Sequence, residues 1–199
     1  FVHQTDSVQR EIHGLLAALR KHGRRTFTLD PPQHSLLRQK LGENVTVAFR
    51  ETPLEEAVAQ LAEKAQIDIR LDIPALRNTG IRQRRPITLA LTNRKLRTVL
   101  QAMLIDLDLT WILRDGVLWL TTNDEAEAFP KTAVYDVRDL CRNEAESEAL
   151  VEAITSQART TSWDEVGGPG SAQVARPGTL VISNTESVLG EVLDLLETY

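Results

Sequence analysis

The chain has 199 residues, 42% of them hydrophobic, and a formal net charge of −5. That supports packed cores and either one large or two small domains, while no apolar run approaches the roughly 20 residues of a membrane-spanning helix. The single cysteine, Cys141, excludes an internal disulfide. Charge is unevenly spread: residues 1–44 carry 7 basic and 4 acidic side chains, residues 45–123 carry 11 and 9, and residues 124–199 carry 5 and 15. The acidic final third speaks against a nucleic-acid partner, because a phosphate backbone would be repelled. The opening residues lack the basic-then-apolar pattern of a signal peptide, which leaves export open.

Val8, Ile12, Leu15, Leu16 and Leu19 follow Thr5-Asp6-Ser7 at helical spacing. They predict an amphipathic helix that ends near Gly23, with Lys21, His22, Arg24 and Arg25 complementing its dipole. Asp30-Pro31-Pro32 breaks regular structure, and a short helix fits Ser35 to Leu41. Residues 24–44 are expected to be a linker.

From Val45 to Thr122 one pattern occurs twice. Val45–Phe49 alternates like a strand, Leu54, Ala57, Val58, Leu61, Ala62 and Ala65 follow at helical spacing, and Ile67–Asp72 alternates again. Shifted by 42, the order returns as Ile87–Leu91, then Leu96 to Leu107, then Leu109–Leu113. Period two giving way to 3.6 and back marks a strand–helix–strand unit. Thr52-Pro53-Leu54-Glu55 reads as a capping box for the first helix, and Asn93 is the matching cap of the second. Arg82, Arg84 and Arg85 form a basic run between the halves. Asp115-Gly116 predicts a hairpin whose last strand places Trp119 on an open sheet face, where it is a candidate interface residue.

Asn123 to Lys131 reads as a second linker, 124–131 in its bounds, or as an acidic helical turn. Beyond it, Ala133–Val137, Glu144 to Ala158, two strands after Gly167-Gly168-Pro169-Gly170, and Val188 to Leu196 give the order β-α-β-β-α. Phe1 to Leu16, shifted by 180, overlies Val181 to Leu196: Thr5, Ser7, Val8, Glu11, Leu15 and Leu16 recur as Thr185, Ser187, Val188, Glu191, Leu195 and Leu196. Residues 1–23 therefore read as the tail of an earlier module, whose stripe Val8, Ile12 and Leu15 needs cover from another module or a second chain.

The catalytic inventory is thin. His3, His13, His22 and His34 lack the i, i+4 pairing of a helical metal site and read as surface residues, so no metal or cofactor is expected. Cys141 reads as an inert, partly buried thiol. Asp136, Asp139 and Asp164 are the acids that a carboxylate-dependent hydrolase would use, and the Gly167–Gly170 run reads as a tight turn rather than a phosphate loop.

Residues 45–122 resemble the secretin and TonB short N-terminal (STN) domain family, through Val45–Phe49, Thr52–Ala57, Ile67–Ile69, Ile87–Leu91, Leu96 to Leu107, and Leu109–Trp111 with Asp115–Leu120. Residues 132–199 are similar to the small βαββα, KH-like modules that follow such a domain in secretins. Tyr135–Leu140, Trp163, Gly167–Gly170 and Leu180-Val181 also resemble repeats in large cell-envelope proteins of planctomycete-type bacteria.

The expected fold is α+β: two small sandwich-like modules, βαββαββ over 45–123 and βαββα over 132–199, after an amphipathic helix. The resemblance implies a non-enzymatic, periplasmic or cell-envelope module that binds protein, without nucleic acid, cofactor or direct membrane span. Homodimerisation through residues 1–23 is one expected mode. Trp119, Trp163, Val8, Ile12, Leu15 and the run Arg82, Arg84, Arg85 are the candidate interface, the arginines also being the candidate site for an anionic polymer or glycan.

Overall fold

The computed structural model describes residues 6–19, 24–29 and 31–198. Its secondary structure is mixed α and β throughout, and the chain divides into two units. An inner unit spans Pro31–Phe129, and an outer unit combines Phe1–Asp30 with Pro130–Tyr199. The outer unit opens with α1 (Asp6–Ala18) and β1 (Arg25–Phe27). Residues 20–23, and with them the expected helix end at Gly23, lie outside the described residues, as do residues 1–5.

The inner unit runs α2 (Pro32–Leu41), β2 (Asn44–Pro53), α3 (Leu54–Ala65), β3 (Ile69–Leu71), α4 (Ile73–Asn78), β4 (Pro86–Lys95), α5 (Leu96–Leu104), β5 (Leu109–Arg114), β6 (Val117–Thr122) and α6 (Asn123–Glu127). The stretch expected as a linker over 24–44 thus carries β1 besides the short helix expected there, now α2, and α6 takes the helical-turn alternative at the second linker. β2 and β4 pair antiparallel as a two-stranded ribbon, and β3, β6 and β5 form a second sheet in that order. The apolar spacing of α3 and α5 explains the core. Leu54, Ala57, Leu61, Leu96, Val99 and Leu100 are fully buried and meet Leu118 and Leu120 of β6 in one cluster. Each such leucine stabilises the fold by about 1.5–3 kcal/mol relative to an exposed one.

The repeat at 42 residues is also a symmetry of hydrogen bonding. The pairing Asn44↔Lys95 maps onto Pro53↔Pro86 when the two halves are exchanged, Val47↔Leu91 maps onto Phe49↔Leu89, and Ala48↔Ala90 maps onto itself. A pseudo-twofold axis therefore passes between Ala48 and Ala90. Each strand bulges at a left-handed residue, Glu51 (φ 49°) or Asn93 (φ 52°). The freed N–H of Glu51 donates to Thr88 Oγ1 at 3.1 Å, and that of Asn93 to Thr46 Oγ1 at 3.0 Å. α3 ends in the left-handed Gln66, and the 3-10 turn Ile105–Leu107 that extends α5 ends in the left-handed Asp108.

Helix starts follow the same rule and correct the predicted capping boxes. Neither Thr52 nor Asn93 caps a helix. The Leu54 N–H donates to the Arg85 carbonyl and the Leu96 N–H to the Glu43 carbonyl, both at 2.9 Å, so each half caps the other's helix.

The outer unit resumes with β7 (Lys131–Asp136), α7 (Glu144–Gln157), β8 (Ser171–Arg176), β9 (Thr179–Asn184) and α8 (Glu186–Leu196). Its sheet has the order β1-β7-β9-β8, with every neighbouring pair antiparallel. β1 is thus a fourth strand joined to β7 across the whole inner unit. Phe27, Ala133, Tyr135, Leu180 and Ile182 share a core with Val188, Leu189, Val192 and Leu196 of α8. α1 lies against β1 and β7, so close that a Cβ on Gly14 would stand 2.1 Å from the Thr28 carbonyl oxygen. Its offset from α8 is kept at 180 residues, Asp6 and Glu186 being the two helix starts.

Candidate interaction surfaces

Arg24 and Arg25, expected to serve the C-terminal end of α1, serve α8 instead. Arg25 donates to the Leu189 carbonyl at 2.9 Å, and Arg24 to the carbonyl of Leu196, the last α8 residue, at 3.3 Å. Arg24 also pairs with Asp139 at 2.6 Å, while Arg138 pairs with Asp136 at 2.5 Å. These four side chains line an open depression, yet each carboxylate of it is already held by a guanidinium. The Asp136 carboxylate raises the Arg138 pKa further. Asp164 is exposed, accepts from the Glu165 N–H and does not line the depression that Asp136 and Asp139 share. Among the described residues, no three His, Cys, Asp or Glu side chains gather as metal ligands.

His34 is buried, at 6% exposure, which corrects its expected surface place; His13 is exposed, and His3 and His22 lie outside the described residues. Cys141 is buried, and burial pushes its thiol pKa up, away from the thiolate form. Glu191 on α8 is also pushed up by burial, against the opposing pull of Arg159 at 3.3 Å.

Of the tryptophans, Trp163 is not a surface residue. It is 1% exposed, donates its Nε1–H to the Ala158 carbonyl at 2.7 Å, and fills the outer core. The glycine run encloses it. Gly168 donates to the Trp163 carbonyl at 2.8 Å, Gly170 donates to the Ser162 carbonyl at 2.8 Å, and a Cβ on Gly170 would meet Asn184 Nδ2 at 2.0 Å.

Trp119 is half-buried on the sheet face away from the inner core, with Arg114 over its ring at 5.0 Å and Arg70 at 6.0 Å. Arg114 also stands 5.6 Å over Phe129, which is 39% exposed. This face is therefore an aromatic and basic surface in which guanidinium groups cover the rings. Burying the Trp119 Nε1–H without an acceptor costs about 1–3 kcal/mol.

Arg82, Arg84 and Arg85 are all exposed on one turn, closed by the Arg85 N–H to the Arg82 carbonyl at 2.9 Å. Val8, Ile12 and Leu15 are half-buried on α1, whose cover comes from the sheet of its own chain. Leu16 remains 44% exposed. Sequence reasoning missed the ribbon. Among the described residues, neither β2 nor β4 pairs with a third strand, so each ten-residue strand has an outer edge left open there. Beside β4 lies a cavity of about 190 Å³ between Arg85–Leu89 and the segment Ala102–Leu107.

No family model matches the chain, and no curated relative is found. Solved structures give partial likenesses. A Parabacteroides distasonis protein assigned as an anti-sigma factor shares 18% identity over 39% of this chain and 33% of its own, with a TM-score of 0.33. The N-terminal domain of the secretin XcpQ from Pseudomonas aeruginosa shares 13% over 77% of this chain and 64% of its own (TM-score 0.32). A chain of the Salmonella SPI-1 type III secretion injectisome basal body shares 14% over 76% and 28% (TM-score 0.34). The chain thus spans about a third of the first of these structures and just under two thirds of the second.

Proposed function

We propose that this chain is a non-enzymatic protein-recognition and assembly module, acting by addition of a partner strand to a free sheet edge. The observation that carries this reading is the β2–β4 ribbon, ten residues in each strand and, among the described residues, unpaired on both outer edges. Such edges present rows of backbone donors and acceptors that a partner strand satisfies. The resemblance of residues 45–122 to STN domains supports a place for the module in the periplasm or cell envelope. The test is photo-crosslinking from Ala48 and Ala90, combined with light scattering of the purified chain. Crosslinks to a discrete protein or to a second copy support the reading; a monomer that crosslinks to neither overturns it.

A second reading, capture of an anionic polymer, is favoured by the three exposed arginines on one turn. It requires binding that falls steeply with added salt, and binding insensitive to salt removes it.

A further inference from the structure

The pseudo-twofold axis makes the two ribbon edges comparable position by position, and they are not alike. Along β4 the strand edge faces a cavity of about 190 Å³ whose floor includes Ile87, Met103 and Leu107, each almost fully buried. At its mouth stand Arg85 and Asp106, both exposed and, among the described residues, without an ion pair or side-chain hydrogen bond. The symmetry-related positions on the β2 side are Glu43 for Arg85 and Lys64 for Asp106, so the charges are reversed. Gln60 replaces Ala102, with its amide reaching Glu56 at 3.3 Å, and Ala65 replaces Leu107. Beside Asp106, Ile105 is 67% exposed where the counterpart is the charged Glu63. A small side chain at 102 opens one edge, where a longer one stands at 60.

We propose that the β4–α5 groove is a binding site for one extended peptide segment of a partner protein. The segment adds as a strand to β4 and drops one medium apolar side chain into the cavity over Met103. An acidic residue of the peptide meets Arg85 and a basic one meets Asp106. Backbone bonds supply affinity that is blind to sequence, while the cavity and the two charges supply the choice of peptide. Met103 suits this role because its unbranched thioether adapts to different apolar guests. The inference rests on the strand-addition reading above and narrows it to one edge.

A displayed library of random heptapeptides selected on the immobilised full chain tests it. The expected outcome is an enriched family with alternating β-formers, a central apolar residue and one acidic and one basic flank. Ala102→Gln, which installs the residue that the other half carries, should weaken those peptides roughly tenfold or more. Gln60→Ala should leave them unchanged. The pair Arg85→Glu with Asp106→Lys, both on the exposed rim, should select peptides with the two charges interchanged. Circular dichroism confirms that each variant folds. Enriched peptides indifferent to Ala102→Gln overturn the groove and leave strand addition elsewhere standing; an absence of any enriched family overturns both. Self-association abolished by Ala102→Gln would put a second copy in the groove and overturn the peptide.

Discussion

The two units hold their cores by different means. In the inner unit a duplicated strand–helix–strand pattern folds onto itself, and each half closes the other's bulge and helix start. In the outer unit, segments separated by the whole inner unit are joined, and one large side chain plugs the result. Trp163 sits under a loop in which Gly168 and Gly170 touch backbone closely enough to exclude a Cβ. The difference teaches where each unit is fragile. A duplicated unit spreads its stability over equivalent positions, whereas a plugged one concentrates it.

That contrast can be broken most directly at Trp163. Replacing it with alanine should cost the outer unit about 3–5 kcal/mol, as for other fully buried aromatic residues. Trp111 and Trp119 both lie in the inner unit, so their fluorescence in Trp163→Ala reports that unit alone. The expected result is a denaturation midpoint that falls by far-UV circular dichroism and holds by fluorescence. Coincident shifts would show that the two units unfold as one.

A smaller effect is expected at Gly170. Its Cβ would stand 2.0 Å from Asn184 Nδ2 and 2.6 Å from the Ser162 oxygen, so Gly170→Ala must displace the buried Asn184–Ser162 hydrogen bond. The cost is expected to be about 1–3 kcal/mol by urea titration, in the range of overpacked sites. A wild-type midpoint would show that the loop yields freely.

Smaller again, and the sharpest test of the symmetry, are Thr46→Val and Thr88→Val. Each removes the side-chain acceptor of one bulge N–H, at a cost of about 0.5–1.5 kcal/mol. Equal losses in the two single variants support equivalence of the halves. A loss confined to one of them would show that the hydrogen-bond symmetry has no energetic counterpart.

The least effect is one of pH. Burial raises the Glu191 carboxyl pKa in the folded chain, so the folded state holds that proton more tightly than the unfolded one does. Its contribution to stability is therefore present below the ordinary carboxylate range and lost as pH rises through the raised value. Glu191→Gln, compared with the wild type by thermal melts across the acid range, should flatten that part of the profile. An unchanged profile would show that the Arg159 pairing cancels the burial.

The sequence alone determined most elements of both units, β1 being the exception. Leucine and valine at helical spacing placed α3, α5, α7 and α8 within a few residues of their observed bounds, and alternation placed the strands of the second half. The repeat at 42 residues was legible because a core-facing position selects for apolar side chains wherever it recurs. Tertiary structure alone decided three other things. β1 pairs with β7 across the inner unit, and nothing local to Arg25–Phe27 specifies a partner so distant in the chain. Four left-handed residues of the repeat, Glu51, Asn93, Gln66 and Asp108, are not glycines that would announce a turn, because neighbouring strands and helices impose the conformation. Trp163, a candidate interface residue by its sequence, is buried since a folded loop closes over it. Periodicity is a property of neighbours along the chain; enclosure and strand partnership belong to neighbours in space.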